Sequence, residues 1–330
     1  MPCLPLFAAR TLLACGSLVL LAACNDDDAP EPFVGPDFQS ASPSPAIPVI
    51  FSPGVISIGD RMWQWRLTLS PNGKQAFFSR SAQFFPFTRA ATIYETRLQS
   101  DGTWSTPIVA PFSGTHSDID PFLSPDNQRL YFSSIRPVNG AARQDIDIWY
   151  VERRGDGWGT PVHLGPEVNS TDADELYPSA SADGTLYFAS GPLFPQAGKH
   201  FDIYSAERRG TGFAAKVALP AAINTQPQTG VADLQAAWDF NPEISVDGKT
   251  LVFTSLRPGG FGLGDLYVST KTGTTWSQAR NLGPLVNTAD DEYHATLSRN
   301  GQTLWFVRAN LGKQIRGDFY HVRTSALNLK

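Results

Sequence analysis

The chain has 330 residues, with 26 Lys and Arg against 31 Asp and Glu and a formal net charge of −5. That acidic balance excludes a nucleic-acid partner gripped by a broad basic surface, because phosphate binding needs compensating cations. Aromatic residues at 12%, with 28 Gly and 26 Pro, favour short strands and tight turns over helices.

Residues 1–23 read as a signal peptide. Arg10 precedes an apolar run from Thr11 to Ala23 that is too short for a membrane span. The run ends in Leu21-Ala22-Ala23-Cys24, which resembles the bacterial lipobox; the resemblance implies that Cys24 is the first mature residue and carries lipid. Cys3 and Cys15 leave with the leader, so the mature chain keeps one cysteine and builds neither a disulfide framework nor a cysteine zinc site. Residues 24–47 pass through Asn25-Asp26-Asp27-Asp28 into a Pro/Ser-rich stretch too poor in apolar residues to fold, and read as a tether. Asn25 is not the aspartate that retains lipoproteins in the inner membrane of enteric bacteria. The expected location is therefore the bacterial envelope, lipid-anchored in the outer membrane and facing the periplasm.

Residues 48–330 repeat one pattern five times. A serine turn leads into an apolar-aromatic strand at Ser70-Pro71-Asn72-Gly73, Ser124-Pro125-Asp126-Asn127, Ser181-Ala182-Asp183-Gly184, Ser245-Val246-Asp247-Gly248 and Ser298-Arg299-Asn300-Gly301. Asn-Gly and Asp-Gly admit the positive φ of a tight hairpin, so each copy predicts strand, turn, strand. A third strand follows at Ile93-Tyr94, Ile148-Trp149, Ile203-Tyr204, Leu266-Tyr267 and Phe319-Tyr320. A fourth is expected to open at Trp104, Trp158, Phe213 and Trp276.

The fifth copy lacks its fourth strand. Pro48-Val49-Ile50-Phe51 near the other end matches the outer strand Pro161-Val162-His163-Leu164 of the second copy. The fold class is therefore all-β: one β-propeller of five four-stranded blades closed by an N-terminal strand. Six blades are the alternative, and would need one hidden in the short insertion Gln226–Trp238.

Ser245-Val246-Asp247-Gly248, Leu251-Val252-Phe253-Thr254 and Asp265-Leu266-Tyr267 together resemble the TolB-type, WD-like propeller repeat of bacterial envelope proteins. The resemblance spans about residues 48–325. It implies a propeller that binds protein or peptide partners in the periplasm, without the second domain that TolB carries.

Alignment on the turn serine places two polar sets at the start of each inner strand. Six residues before it stand Gln64, Asp118, Glu175, Asp239 and Glu292. Four residues before it stand Arg66, Asp120, Tyr177, Asn241 and His294. Period-two alternation sets Trp65, Ile119, Leu176, Phe240 and Tyr293 against a neighbouring blade and the polar sets toward the channel. The first set recurs as acids, with Arg80, Arg136, Arg257 and Arg308 nearby, and is read as inter-blade carboxylates ahead of a ligand ring. The second set differs from blade to blade and is the candidate ligand-binding ring, since asymmetric polar groups in a concavity orient a ligand.

No metal-ligand spacing and no nucleophile elbow occurs, so no metal, cofactor or catalytic residue is assigned. Gly259-Gly260-Phe261-Gly262-Leu263-Gly264 resembles a phosphate loop but precedes a strand, and is read as a blade connector. The leading expectation is a binding or scaffold lipoprotein. The alternative is a propeller enzyme or lectin acting on a glycan or other small molecule at the channel.

Overall fold

The computed structural model describes residues 44–330, apart from 195, 197–198, 227–234, 328 and 330. The signal peptide, Cys24 and nearly all of the tether lie outside the described residues, as does the middle of the insertion 226–238.

Five antiparallel sheets stand around one axis. Blade 1 holds Trp63–Leu69, Gln75–Ser81, Thr92–Arg97 and Ile108–Val109, from the axis outward. Blade 2 holds Asp118–Leu123, Arg129–Ser134, Asp147–Arg154 and Val162–His163. Blade 3 holds Asp174–Ala180, Leu186–Gly191, Asp202–Ala206 and Val217–Ala218. Blade 4 holds Asp239–Ile244, Thr250–Ser255, Asp265–Thr272 and Arg280–Asn281. Blade 5 takes Asp291–Leu297, Thr303–Asn310 and Ile315–Arg323 from the C-terminal end and Val49–Ile50 from the N-terminal end.

The closing strand pairs Val49 with His321 and Ile50 with Tyr320, the register that Val162 and His163 keep with Tyr150 and Trp149. The linker behind it runs one residue longer than in blade 2. Ser57, rather than the aligned Ile56, brackets Phe319 through its hydroxyl, as Asn169 brackets Ile148.

Each repeated serine has a visible task. Its hydroxyl donates to the Asn or Asp two residues on, at 2.6–2.7 Å in all five blades. In four of them it also accepts the N–H five residues on, at 2.9 Å. Five residues separate the first and second strands in every blade, rather than the two of a tight hairpin. Only the last residue of each motif is left-handed, a glycine in four copies and Asn127 (φ 61°) in the second.

The outer strands differ from expectation. Trp104, Trp158, Phe213 and Trp276 do not open them; each sits in a short pairing beyond the main part of the third strand, and the outer strand follows as a separate two-residue piece. Pro107 and Pro161 stand at that break in blades 1 and 2, where a residue without an N–H cannot extend a ladder. The aromatic rings instead pack on the preceding blade: Trp158 on Phe77, Trp276 on Tyr187, and Trp104 on Phe51 across the closure.

Four clusters of the core are such interfaces, and the fifth joins the interface of blades 5 and 1 to residues of every blade around the channel mouth. The one between blades 5 and 1 contains Phe51, whose buried ring meets Trp104, Trp305 and His321 at 5.4–6.2 Å. Phe51→Ala leaves a cavity at the closure and is expected to cost about 3–5 kcal/mol, read as a lower urea midpoint. A loss under 1 kcal/mol would show that this interface does not hold the ring.

Candidate functional site

The two polar sets lie near the end of the ring where the inner strands begin, and the structure treats them differently. The first set is consumed within the blades. Asp118 accepts from Arg136 at 2.5 Å and from the hydroxyls of Ser113 and Ser134. Glu175 accepts from Lys216, Ser170 and Ser190. Asp239 accepts from Arg257 and the Thr225 N–H, and Glu292 from Arg308 and Thr288. Each carboxylate thus ties an inner strand to the linker that enters it and to a cation. Blade 1 keeps the geometry without the acid: Gln64 bonds Gly317 and Asp318, and Arg80 turns to the carbonyls of Val55 and Ile56.

The second set converges on the axis, and its backbone explains how. Asp120, Tyr177, Asn241 and His294 have φ of 58°, 62°, 51° and 51°, the left-handed region. Each lies where the inner-strand register shifts, a β-bulge. The bulge breaks the period-two alternation and re-aims the side chain. In three blades the next residue is Pro121, Pro178 or Pro242, placed where the bulge leaves no ladder bond for its missing N–H. Left-handed backbone costs a non-glycine residue about 1 kcal/mol and persists where surrounding structure over-determines it. Arg66 occupies the same place in blade 1, at a bulge without the left-handed turn.

All of this set except half-buried Tyr177 is buried. The Arg66 guanidinium pairs with Glu243, a partner that the spacing of the repeats had not singled out, and lies over the Phe122 ring. His294 Nδ1 stands 3.2 Å from Asn241 Nδ2 and 3.4 Å from an Asp120 carboxylate oxygen. Among the described residues, neither Asp120 oxygen has a hydrogen-bond partner. Burial therefore pushes the Asp120 carboxyl up to about 8, against the pull of Arg66. Burial likewise pushes Glu243 up to about 7, and holds His294 well below its usual range.

Above this layer lies a cavity of about 60 Å³. Its walls include Trp65, Tyr177, Phe240 and Tyr293 from the inner strands, with Asn241 and His294 beside them. Phe84, Pro86, Leu193, Phe194 and Phe201 come from second-to-third-strand connectors, and Gln235 and Trp238 from the segment entering blade 4. Trp65, Tyr177 and Tyr293 surround the His294 ring at 5.7–6.3 Å, edge to face. Trp65, Phe240 and Tyr293, expected only to pack between blades, thus form part of a concave wall. Among the described residues, no Asp, Glu, Lys or Arg lines the cavity.

Among the described residues, no three His, Cys, Asp or Glu side chains gather as a metal site would require. The glycine-rich connector of blade 4 is folded on its own strand: the N–H groups of Phe261 and Gly262 donate to the Asp265 carboxylate at 2.6 and 3.0 Å.

No family model matches the sequence, and no curated protein matches it. Solved structures do. The alpha-L-arabinofuranosidase from Lactobacillus brevis superposes with a TM-score of 0.52 at 13% identity, over 80% of this chain and 91% of that one. The endo-arabinase from Bacteroides thetaiotaomicron VPI-5482 gives 0.51 at 12%, over 82% and 96%. A putative TolB from Agrobacterium tumefaciens gives 0.48 at 18%, over 76% and 71%. The likeness is one of fold. That fold is shared by several distinct propeller families, which serve in both binding and catalysis.

The ionisation of Asp120 is measurable through stability. Its folded pKa lies above the unfolded value near 4, so the folded state keeps a proton that the unfolded chain releases. Its contribution is present at low pH and lost as pH rises from about 4 through about 8. His294 and His321 act oppositely, but only below their unfolded value near 6.5. Asp120→Asn, a residue suited to the left-handed backbone, should therefore gain on the wild type as pH rises, with a higher thermal midpoint at pH 9 and none of that advantage at pH 4. A midpoint difference that stays constant across this range would contradict the assignment.

Proposed function

We propose that this propeller binds a small organic ligand, part of which seats in the cavity at the mouth of its central channel. The supporting observation is the cavity itself: eight aromatic rings with Asn241 and His294 set among them, built from four blades and their connectors. A concavity of apolar walls with a few convergent polar groups is the usual form of a ligand site. Strained backbone at Tyr177, Asn241 and His294 adds weight, since left-handed non-glycine residues cluster at functional positions.

Binding fits this site better than glycoside hydrolysis by paired carboxylates. That chemistry needs two acids flanking the scissile bond, and Asp118, Glu175, Asp239 and Glu292 are spent on cations, hydroxyls and backbone N–H groups within the blades. The TolB-type repeat supports a second reading, in which the outer faces hold a protein or peptide partner in the periplasm.

A thermal-shift screen of the purified chain with glycans, small organic compounds and peptides tests the proposal. A ligand at a hundred times its Kd adds about 2.7 kcal/mol of apparent stability. The expected result is a hit that Trp65→Ala abolishes while the protein stays folded. A flat response to every small molecule, with a peptide or protein hit that Trp65→Ala leaves intact, would replace this reading with the scaffold.

The lipobox ending at Cys24 supports placing the propeller on a bacterial membrane. Metabolic labelling with a radioactive fatty acid should mark the wild type and not Cys24→Ser; equal labelling of both would remove the anchor from the proposal.

A further inference from the structure

The cavity and the layer beneath it carry opposite kinds of information about charge. Among the described residues the walls offer π faces and no Lys or Arg. Beneath them the Arg66 guanidinium pairs with Glu243 and also acts on Asp120 and His294. Among the described residues, Asp120 is a completely buried carboxyl group that makes no hydrogen bond and meets only the ring of His294 at 3.4 Å. It touches the cavity through His294, whose Nδ1 faces it at 3.4 Å while the ring itself lines the cavity. A carboxylate buried in this way costs stability unless a nearby cation compensates its charge.

We propose that the cavity takes the head group of an organic ammonium ligand, quaternary or methylated, held among the aromatic rings above the Asp120–His294 pair. The inference rests on the reading of this cavity as the ligand site. Rings carry negative potential on their faces and attract a cation, most strongly where water is excluded. The negative charge that Asp120 acquires on ionising is the charge that such a cation would balance.

Size argues against a sugar: a dry cavity of about 150 Å³ accepts benzene, so a recess of about 60 Å³ does not take a whole sugar ring. A methylated ammonium also makes few demands on hydrogen-bond donors and acceptors, which suits a mainly aromatic lining, whereas sugar hydroxyls buried without partners would each carry a cost. An anion is disfavoured by the π faces of the wall. The exposed rings of Phe87 and Phe194 flank the connectors that form the rim, and give the remainder of the ligand an apolar surface to lie on.

The test compares choline with its uncharged isostere 3,3-dimethyl-1-butanol, titrated into the full chain at pH 9, where Asp120 is ionised, in mild detergent at fixed ionic strength and followed by calorimetry. Choline is expected to bind at least tenfold more tightly than the alcohol. Asp120→Asn is expected to erase most of that difference while leaving the affinity for the alcohol unchanged. Should Asp120→Asn fail to fold, Trp238→Leu in the wall replaces it, with choline expected to lose more affinity than the alcohol.

Equal binding of choline and the alcohol, or a choline affinity that survives whichever substitution is tested, overturns the ammonium proposal. Binding of a glycan in the same cavity, with no response to choline, overturns it too but leaves the ligand site standing. Failure of every small molecule to bind removes both.

Discussion

Every sheet in this molecule has a face that only its neighbour can cover, and the last face is covered only when the two ends of the chain meet. Blades 1 to 4 are built from continuous sequence. Blade 5 borrows Val49–Ile50, and the same segment delivers Phe51 to the interface with blade 1. The hydrophobic term is roughly proportional to area removed from water. An open ring would therefore forfeit one of five interfaces and expose two unprotected sheet flanks. The channel, the cavity at its mouth and the convergence of five inner strands all presuppose closure.

Within the closed ring the inner strands divide their labour by position. The outer polar set locks each strand to its incoming linker through ion pairs and hydroxyls, which makes the blades rigid and nearly equivalent. One step further along, the bulge releases the chain from that equivalence. Asp120, Tyr177, Asn241 and His294 share a backbone conformation but not a side chain, so a repeated device presents unlike groups to one point. Rigidity in the first set is what lets the second hold left-handed backbone without relaxing.

The five-blade ring was legible because its signals repeat. Serine turns, third strands and the displaced outer strand all recur at similar spacing, and the one-residue surplus before Ser57 was too small to hide the match. The carboxylate set was legible for the same reason. What the sequence concealed depends on residues that do not repeat. Phe84, Leu193 and Trp238 reach the cavity from connectors of differing length, and Glu243 finds Arg66 across the ring from a neighbouring position that no other blade uses in this way. The bulges did leave a trace, since Pro121, Pro178 and Pro242 interrupt strands that have no place for proline unless the ladder is broken there. Strict alternation overlooked it and so assigned Trp65, Phe240 and Tyr293 to packing alone.

The borrowed strand also sets an order of events. Contacts within blades 1 to 4 join residues close in sequence, but Ser57 and Phe319, 262 positions apart, meet only at the end. Joining such distant segments carries a loop-closure entropy that no local contact offsets, and topologies of this kind fold slowly. A chain emerging from its N-terminus must therefore hold its closing strand in reserve through the assembly of every blade. During that interval the strand waits as an apolar Val-Ile-Phe segment without its sheet, the part of the molecule most in need of protection from other chains.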